Sequence, residues 1–148
     1  MTTISSESLH ATSVAIDGQA VVIEGPSGSG KSDLALRLID RGAALISDDI
    51  TLIVRVGGVL RVRTPDSIPA AVRARMEVRG VGIVAVPYAD DVPLALVVRL
   101  DHDVPRMPER RARLIAGVEA REVLVDPRPA SAPILVELAL RQPEATPG

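Results

Sequence analysis

A chain of 148 residues falls within the size of one domain, and 47% hydrophobic residues mark it as globular. A net charge of −2 and one aromatic residue, Tyr88, argue against a basic, base-stacking nucleic-acid surface, and the absence of cysteine excludes disulfides and thiol chemistry. Residues 1–9 carry no basic-then-apolar leader pattern and no apolar run approaches about 18 residues, so the expectation is a soluble, cytoplasmic protein with an aliphatic core and no membrane partner.

The run 10–16, from His10 to Ile16, reads as a first strand, and Asp17-Gly18 as the turn of a hairpin into a second apolar, β-branched run at 20–24. That register brings His10 to the level at which Gly25 leaves the sheet, although a histidine near a terminus is, taken alone, more often a solvated surface residue. Gly25-Pro26-Ser27-Gly28-Ser29-Gly30-Lys31-Ser32 then meets every position of the phosphate-loop pattern G-x-x-x-x-G-K-[ST], with a strand before it and a helical pattern after it. Residues without Cβ atoms let successive backbone N–H groups turn onto an anion, and the helix start adds its positive dipole end. Lys31 is placed to hold the β and γ phosphates of a nucleotide, and Ser32 to offer its hydroxyl oxygen to Mg²⁺. Lys31 is also the only lysine among 17 basic residues, standing where a compact ammonium suits phosphate.

Leu34, Ala35, Leu38 and Ile39 repeat at helical spacing, with Gly42 as the stop. A buried strand at 43–47 delivers Asp48 and Asp49 at its carboxyl end, the edge where open α/β sheets bind ligands. Neighbours on an extended chain point opposite ways, so one carboxylate is expected toward Mg²⁺ or its waters and the other toward the group receiving phosphate; a helix cap or turn pair is the plainer alternative. Runs 50–56 and 59–63 frame a second hairpin about Gly57-Gly58, a loop spans 65–69, and 70–75 has the composition of a helical turn. In 76–84, Glu77 and Arg79 share one face if extended, which a surface ion pair would explain as well as a site. The run 94–100 is a central strand. Asp101-His102-Asp103 is a polar connection rather than a metal site, since three chain neighbours rarely converge on one ion. Arg110, Arg111 and Arg113 form a basic cluster, the runs 114–118 and 122–125 frame a hairpin, 126–133 is a proline-rich loop, and 133–141 closes the fold as helix or strand. The chain is thus read as one P-loop kinase domain over 1–142 with a disordered tail at 143–148.

Four pieces in order, His10, the loop 25–32, Asp48-Asp49 and Glu77-Val78-Arg79-Gly80-Val81-Gly82-Ile83-Val84, resemble the catalytic domain of the bacterial HPr kinase/phosphorylase family in a short form without the N-terminal domain. The resemblance implies an α/β P-loop fold related to phosphoenolpyruvate carboxykinase, with β-hairpins and few helices, Mg-ATP as donor, a serine of the phosphocarrier HPr as acceptor, and a homo-oligomer, since family members are hexameric. It further implies that Lys31 binds phosphate, that Ser32 and Glu77 serve Mg²⁺, that Asp48-Asp49 supplies the acid/base group and that His10 supports it. Arg128 corresponds to the first arginine of the family's Arg-Pro-Gly-Arg-Asn loop, as the transition-state arginine, but Ala130 and Ser131 leave the second without a counterpart. The sequence also stops short of the C-terminal helices that long forms use for partner contact and phosphorolysis. Kinase activity is therefore expected and phosphorylase activity is not. The residues by themselves also admit a P-loop kinase of a small hydroxylated metabolite or a non-catalytic nucleotide sensor.

Overall fold

The computed structural model describes residues 6–142, so the expected tail at 143–148 lies outside the described residues. In chain order the elements are β1 (Ser6–Leu9), β2 (Ala11–Ile16), β3 (Gln19–Glu24), α1 (Lys31–Asp40), β4 (Ala44–Ser47), β5 (Thr51–Val56), β6 (Val59–Arg63), a 3-10 turn (Ala70–Val72), β7 (Arg75–Val78), β8 (Gly82–Ala85), β9 (Val92–Leu100), β10 (Arg111–Ile115), β11 (Val118–Val125) and α2 (Ala132–Arg141).

β3 and β9 carry continuous apolar runs at 20–23 and 94–98 because both faces of the sheet are covered there. They lie side by side and parallel, Val22 beside Val97 and Ile23 beside Val98. Val21 and Ile23 turn toward one core with Leu34 and Leu38 of α1 and Val136 of α2. Ala20 and Val22 turn toward the other, with Ile53, Val62 and Ile115. Each fully buried Leu or Ile in these layers contributes about 1.5–3 kcal/mol.

β2 pairs antiparallel with β3 across Asp17 and Gly18, both at positive φ as a two-residue hairpin requires. β4 pairs antiparallel with β2 and so runs in the direction of β3. β9 forks on its other edge: Val92 and Pro93 meet β6 antiparallel, while Val97 to Leu100 meet β11 in parallel. β5 then joins β6 to β1. The sheet curls far enough for the Glu7 carboxylate of β1 to accept the N–H of Ala116 in the β10–β11 turn, at 2.7 Å. β7 and β8 form a separate two-stranded ribbon.

The expected fold class stands, with local corrections. The first hairpin strand begins at Ala11; His10 is a bend, preceded by β1, whose Ser-Glu-Ser-Leu composition carries no apolar alternation. The third hairpin turns at Ala116-Gly117, inside the run expected to be one strand, so Arg111 and Arg113 belong to β10. Only Ala70–Val72 of the expected helical turn is helical, Arg75 already opening β7. The closing segment is a helix, with Pro133 in its first turn.

Candidate functional site

The carboxyl ends of β3, β4, β9 and β11 all reach one edge of the sheet, and there the chain leaves β3 as the loop 25–30. Gly28 and Gly30 take φ of 78° and 103°, conformations that favour glycine. Gly25 is required by space: a Cβ there would lie 2.6 Å from Ser29 Oγ and 3.2 Å from the Leu100 Cβ. α1 opens directly from Gly30 with no side-chain cap, so its first N–H groups remain for an anion. Lys31 Nζ donates to the carbonyls of Gly25 at 2.8 Å and Pro26 at 3.0 Å, lying back over the loop. The Ser29 hydroxyl is buried without a hydrogen-bond partner. An orphaned hydroxyl, an uncapped helix start and an ammonium held only by backbone carbonyls are a donor set that fits a polyphosphate.

On one flank, Asp48 follows β4. Its Oδ1 accepts from the Ser32 hydroxyl at 2.7 Å, the Thr12 hydroxyl at 2.9 Å and the Asp49 N–H at 3.1 Å. Asp49 sits in the left-handed region at φ 67°, which aspartate tolerates, and is exposed. The charge of Asp48 beside it, then partial burial, push the Asp49 carboxyl above its usual range; Lys31 opposes the rise and Glu77 adds to it. Asp48 and Asp49 thus separate into an inward acceptor of hydrogen bonds and an outward carboxyl with weakened acidity. Ser32, its proton committed to Asp48, presents oxygen lone pairs of the kind a hard cation takes. Among the described residues no group of three or more His, Cys, Asp or Glu gathers closely enough to hold a metal.

Glu77, His10 and Arg128 make no hydrogen bond to this centre among the described residues. Glu77 is exposed on β7, near enough for its charge to act on Asp49, and is in an ion pair neither with Arg79 nor with any other described residue. His10 is exposed at the β1–β2 bend and has no side-chain hydrogen bond among the described residues. On the opposite flank Arg128 grips Asp126, Nε to Oδ1 at 3.0 Å and Nη2 to Oδ2 at 2.9 Å, which holds the Asp126 carboxyl down at about 2. The turn carrying Arg128 is tied to α1 by Arg37, which donates to the carbonyls of Pro127 at 2.6 Å and Pro129 at 3.2 Å. Of the basic cluster, Arg111 pairs with Glu122 and Arg113 with Glu24, the residue before Gly25.

Sequence reasoning missed two residues here. Thr12 is fully buried against Asp48; its signal was a hydroxyl inside an apolar strand. His102 lines the outer side of the loop with Gly28, Ser29, Gly30 and Arg128; no spacing rule links it to residues more than 70 positions earlier.

A curled mixed sheet that hangs a glycine-rich anion loop between its central strand and a helix, with a carboxylate pair opposite the helix's first hydroxyl, defines the class as an α/β domain with a phosphate-type loop. Within that class the chain belongs to the HPr serine kinase family: the family model described as HPr Serine kinase C-terminal domain matches residues 2–90. The chain is 38% identical over 125 residues to an HPr kinase/phosphorylase of Aromatoleum aromaticum, covering 79% of this chain and 38% of that protein. It is 33% identical over 149 residues to one of Alkaliphilus metalliredigens, covering 90% and 47%. A solved structure titled as the Hpr(Ser) kinase/phosphatase from Coxiella burnetii superposes with a TM-score of 0.73 at 28% identity, covering 91% of this chain and 94% of that one. The chain therefore spans less than half the length of these two curated relatives. No helix among the described residues is long and apolar enough to cross a membrane.

Proposed function

We propose that this domain is an ATP- and Mg²⁺-dependent protein-serine kinase whose acceptor is a serine of the phosphocarrier HPr. The observation that carries the reading is the division of labour in the aspartate pair: Asp48 Oδ1 accepts from Ser32 and Thr12, while Asp49 is exposed, its pKa raised chiefly by the charge of Asp48. A carboxylate whose proton affinity is raised is a better general base than one at the usual value of about 4.

Loop N–H groups and Lys31 bind the triphosphate, Lys31 exchanging the Gly25 and Pro26 carbonyls for phosphate oxygens. Ser32 and Glu77 would hold the Mg²⁺ that accompanies the nucleotide, both offering oxygen to a hard cation. That ion, when bound, neutralises charge on the phosphates. Asp49 takes the proton of the acceptor serine as its oxygen attacks, and Asp48 keeps Ser32 oriented. His10 supports the pair from the β1–β2 bend. Arg128 stabilises the transferring group once it leaves Asp126. Because nearly all of this is positioning and charge, no covalent enzyme intermediate is needed. Forward transfer dominates over phosphorolysis, since Ala130 and Ser131 offer no second guanidinium.

The test is incubation of the purified protein with Mg-ATP and HPr, followed by mass spectrometry of HPr. Phosphoseryl-HPr that disappears in Lys31→Ala and Asp49→Asn supports the reading. Nucleotide binding without transfer to HPr overturns it in favour of a sensor, and transfer to a small hydroxylated compound in favour of a metabolite kinase.

A further inference from the structure

We propose that Thr12 is a positioning residue of the phosphoryl-transfer site: its buried hydroxyl holds the Asp48 carboxylate where it takes the Ser32 proton, and so sets the direction in which Ser32 presents its oxygen to the nucleotide's cation. The proposal rests on the kinase reading above.

Thr12 lies on β2 opposite Ile23, one rung below the point where Glu24 gives way to the loop. Its side chain is fully buried, on a strand whose six residues are all buried. The fold does not need the hydroxyl there, because the backbone groups of β2 are engaged by β3 and β4 and a valine would fill the same shape. What the hydroxyl does instead is polar and local. Its one proton goes to Asp48 Oδ1 at 2.9 Å, and its oxygen lies 3.4 Å from the Asp49 N–H, a weak contact beside the 3.1 Å bond from that N–H to Asp48. One carboxylate oxygen thus takes hydrogen bonds from β2, from α1 through Ser32 and from the turn carrying Asp49. Without Thr12, Asp48 loses the hydrogen bond that ties its side chain to β2 and its carboxylate can rotate. Ser32 then loses the fixed acceptor that turns its proton away from the loop and its lone pairs toward it. Partners that orient a ligand group in this way are worth roughly 10- to 100-fold in metal affinity or activity.

The neighbouring residue supplies an internal control. Ser13 is also fully buried on β2, but it bonds Thr51 Oγ1 at 2.9 Å, and Thr51 in turn donates to the carbonyl of Ala11. That pair staples β2 to β5 and touches neither Asp48 nor Ser32. Two adjacent buried hydroxyls on one strand therefore have separable jobs.

The experiment compares wild type, Thr12→Val, Thr12→Ser and Ser13→Ala. Calorimetry measures ATP binding with and without Mg²⁺, HPr phosphorylation is followed against Mg²⁺ concentration, and the amide resonances of Ser32 and Asp49 are recorded in nucleotide-free protein. Thr12→Val is expected to raise the Mg²⁺ needed for half-saturation roughly 10- to 100-fold and to move both amide resonances, leaving metal-free ATP affinity unchanged. Thr12→Ser is expected to restore both readouts, and Ser13→Ala to lower the thermal midpoint without touching the Mg²⁺ dependence. A Thr12→Val protein that folds and keeps wild-type Mg²⁺ dependence and amide positions overturns the proposal, as does a Ser13→Ala protein with the same Mg²⁺ defect. If Thr12→Val fails to fold, Thr12→Ala gives the same reading with a smaller side chain. A wild type that phosphorylates nothing refutes the kinase reading instead, and the nucleotide-free amide resonances still decide whether Thr12 orients the pair.

Discussion

Replacing Lys31 by alanine tests the loop most directly, because the structure shows both what the side chain gives up and what it leaves behind. Its Nζ makes two hydrogen bonds, 2.8 Å to the Gly25 carbonyl and 3.0 Å to that of Pro26. The Pro26 carbonyl is exposed and the Gly25 carbonyl only partly buried, so water can replace the lost donor. The thermal midpoint should therefore move little, within the about 0.5 kcal/mol typical of surface changes. The loss in nucleotide affinity is larger. When a triphosphate binds, the ammonium exchanges neutral carbonyls for charged phosphate oxygens, and a hydrogen bond to a charged group contributes about 1.5–3 kcal/mol. At about 1.4 kcal/mol per tenfold, ATP affinity should fall roughly 10- to 150-fold. Lys31→Arg should not restore it, since a planar guanidinium is wider than the ammonium that fits over the Gly25 and Pro26 carbonyls. The assay is titration calorimetry with ATP beside differential scanning calorimetry of the free protein. ATP affinity within twofold of wild type (about 0.4 kcal/mol) at an unchanged thermal midpoint would refute the assignment of this loop to phosphate.

Three further outcomes follow from particular contacts. Asp48→Asn removes the largest cause of the raised Asp49 pKa, so the Asp49 carboxyl resonance should titrate at lower pH than in wild type; an upward or absent shift would place the cause elsewhere. The Asp126 carboxyl, held at about 2 by Arg128, is depressed, so its contribution is present above the unfolded value of about 4 and is lost as pH falls toward 2. Arg128→Ala should return its titration to the ordinary carboxylate range and flatten stability across that window, as carbon-detected NMR and acid unfolding would reveal. Arg41 donates to Glu137 at 2.6 Å, and Glu137 is only 7% exposed, so Arg41→Met strands a buried carboxylate between α1 and α2. Because Arg41 itself is 44% exposed, the loss in urea unfolding should be about 1–3 kcal/mol rather than that of a fully buried pair. Arg41→Met with Glu137→Leu should recover most of it, and a double variant as unstable as the single one would show that the pair itself carries the contact.

What was legible in the sequence follows from how local each signal is. The loop, the Asp17-Gly18 and Gly57-Gly58 turns and the α1 boundaries are written within spans of a few residues, where glycine positions and apolar spacing decide backbone conformation directly. The aspartate pair was placed at the correct edge because a buried run ended at it. That the pair divides its roles was expected, but which aspartate turns inward was not legible, because it comes from Thr12, 36 residues away along the chain, and from a left-handed φ at Asp49 that no residue pattern announces. β1 was missed for a related reason. It is an edge strand of Ser and Glu that owes its conformation to β5 and to the Glu7–Ala116 bond, both tertiary. The β10–β11 hairpin was misplaced because Ala116 takes positive φ before Gly117 in a run whose apolar content reads as continuous strand. The partners of the basic cluster were not legible either, because Arg111 pairs with Glu122 and Arg113 with Glu24, each on another strand.

The strand order explains why the site has two flanks that can change separately. Along the carboxyl edge the sequence of turns is Asp48-Asp49 after β4, the start of β2, the loop after β3, Asp101-His102 after β9 and Asp126 to Arg128 after β11. The loop is therefore central, the carboxylates lie on the β4 side and the arginine on the β11 side. Each flank has its own tether: Thr12 and Ser32 fix Asp48, whereas Arg37 fixes the Pro127 and Pro129 carbonyls that carry Arg128. No hydrogen bond joins one set of tethers to the other among the described residues. A change such as Ala130 and Ser131 in place of a second arginine can then alter chemistry on the β11 side while leaving the Ser32–Asp48–Thr12 arrangement intact, which is the physical basis for expecting the forward and reverse reactions to separate in this chain.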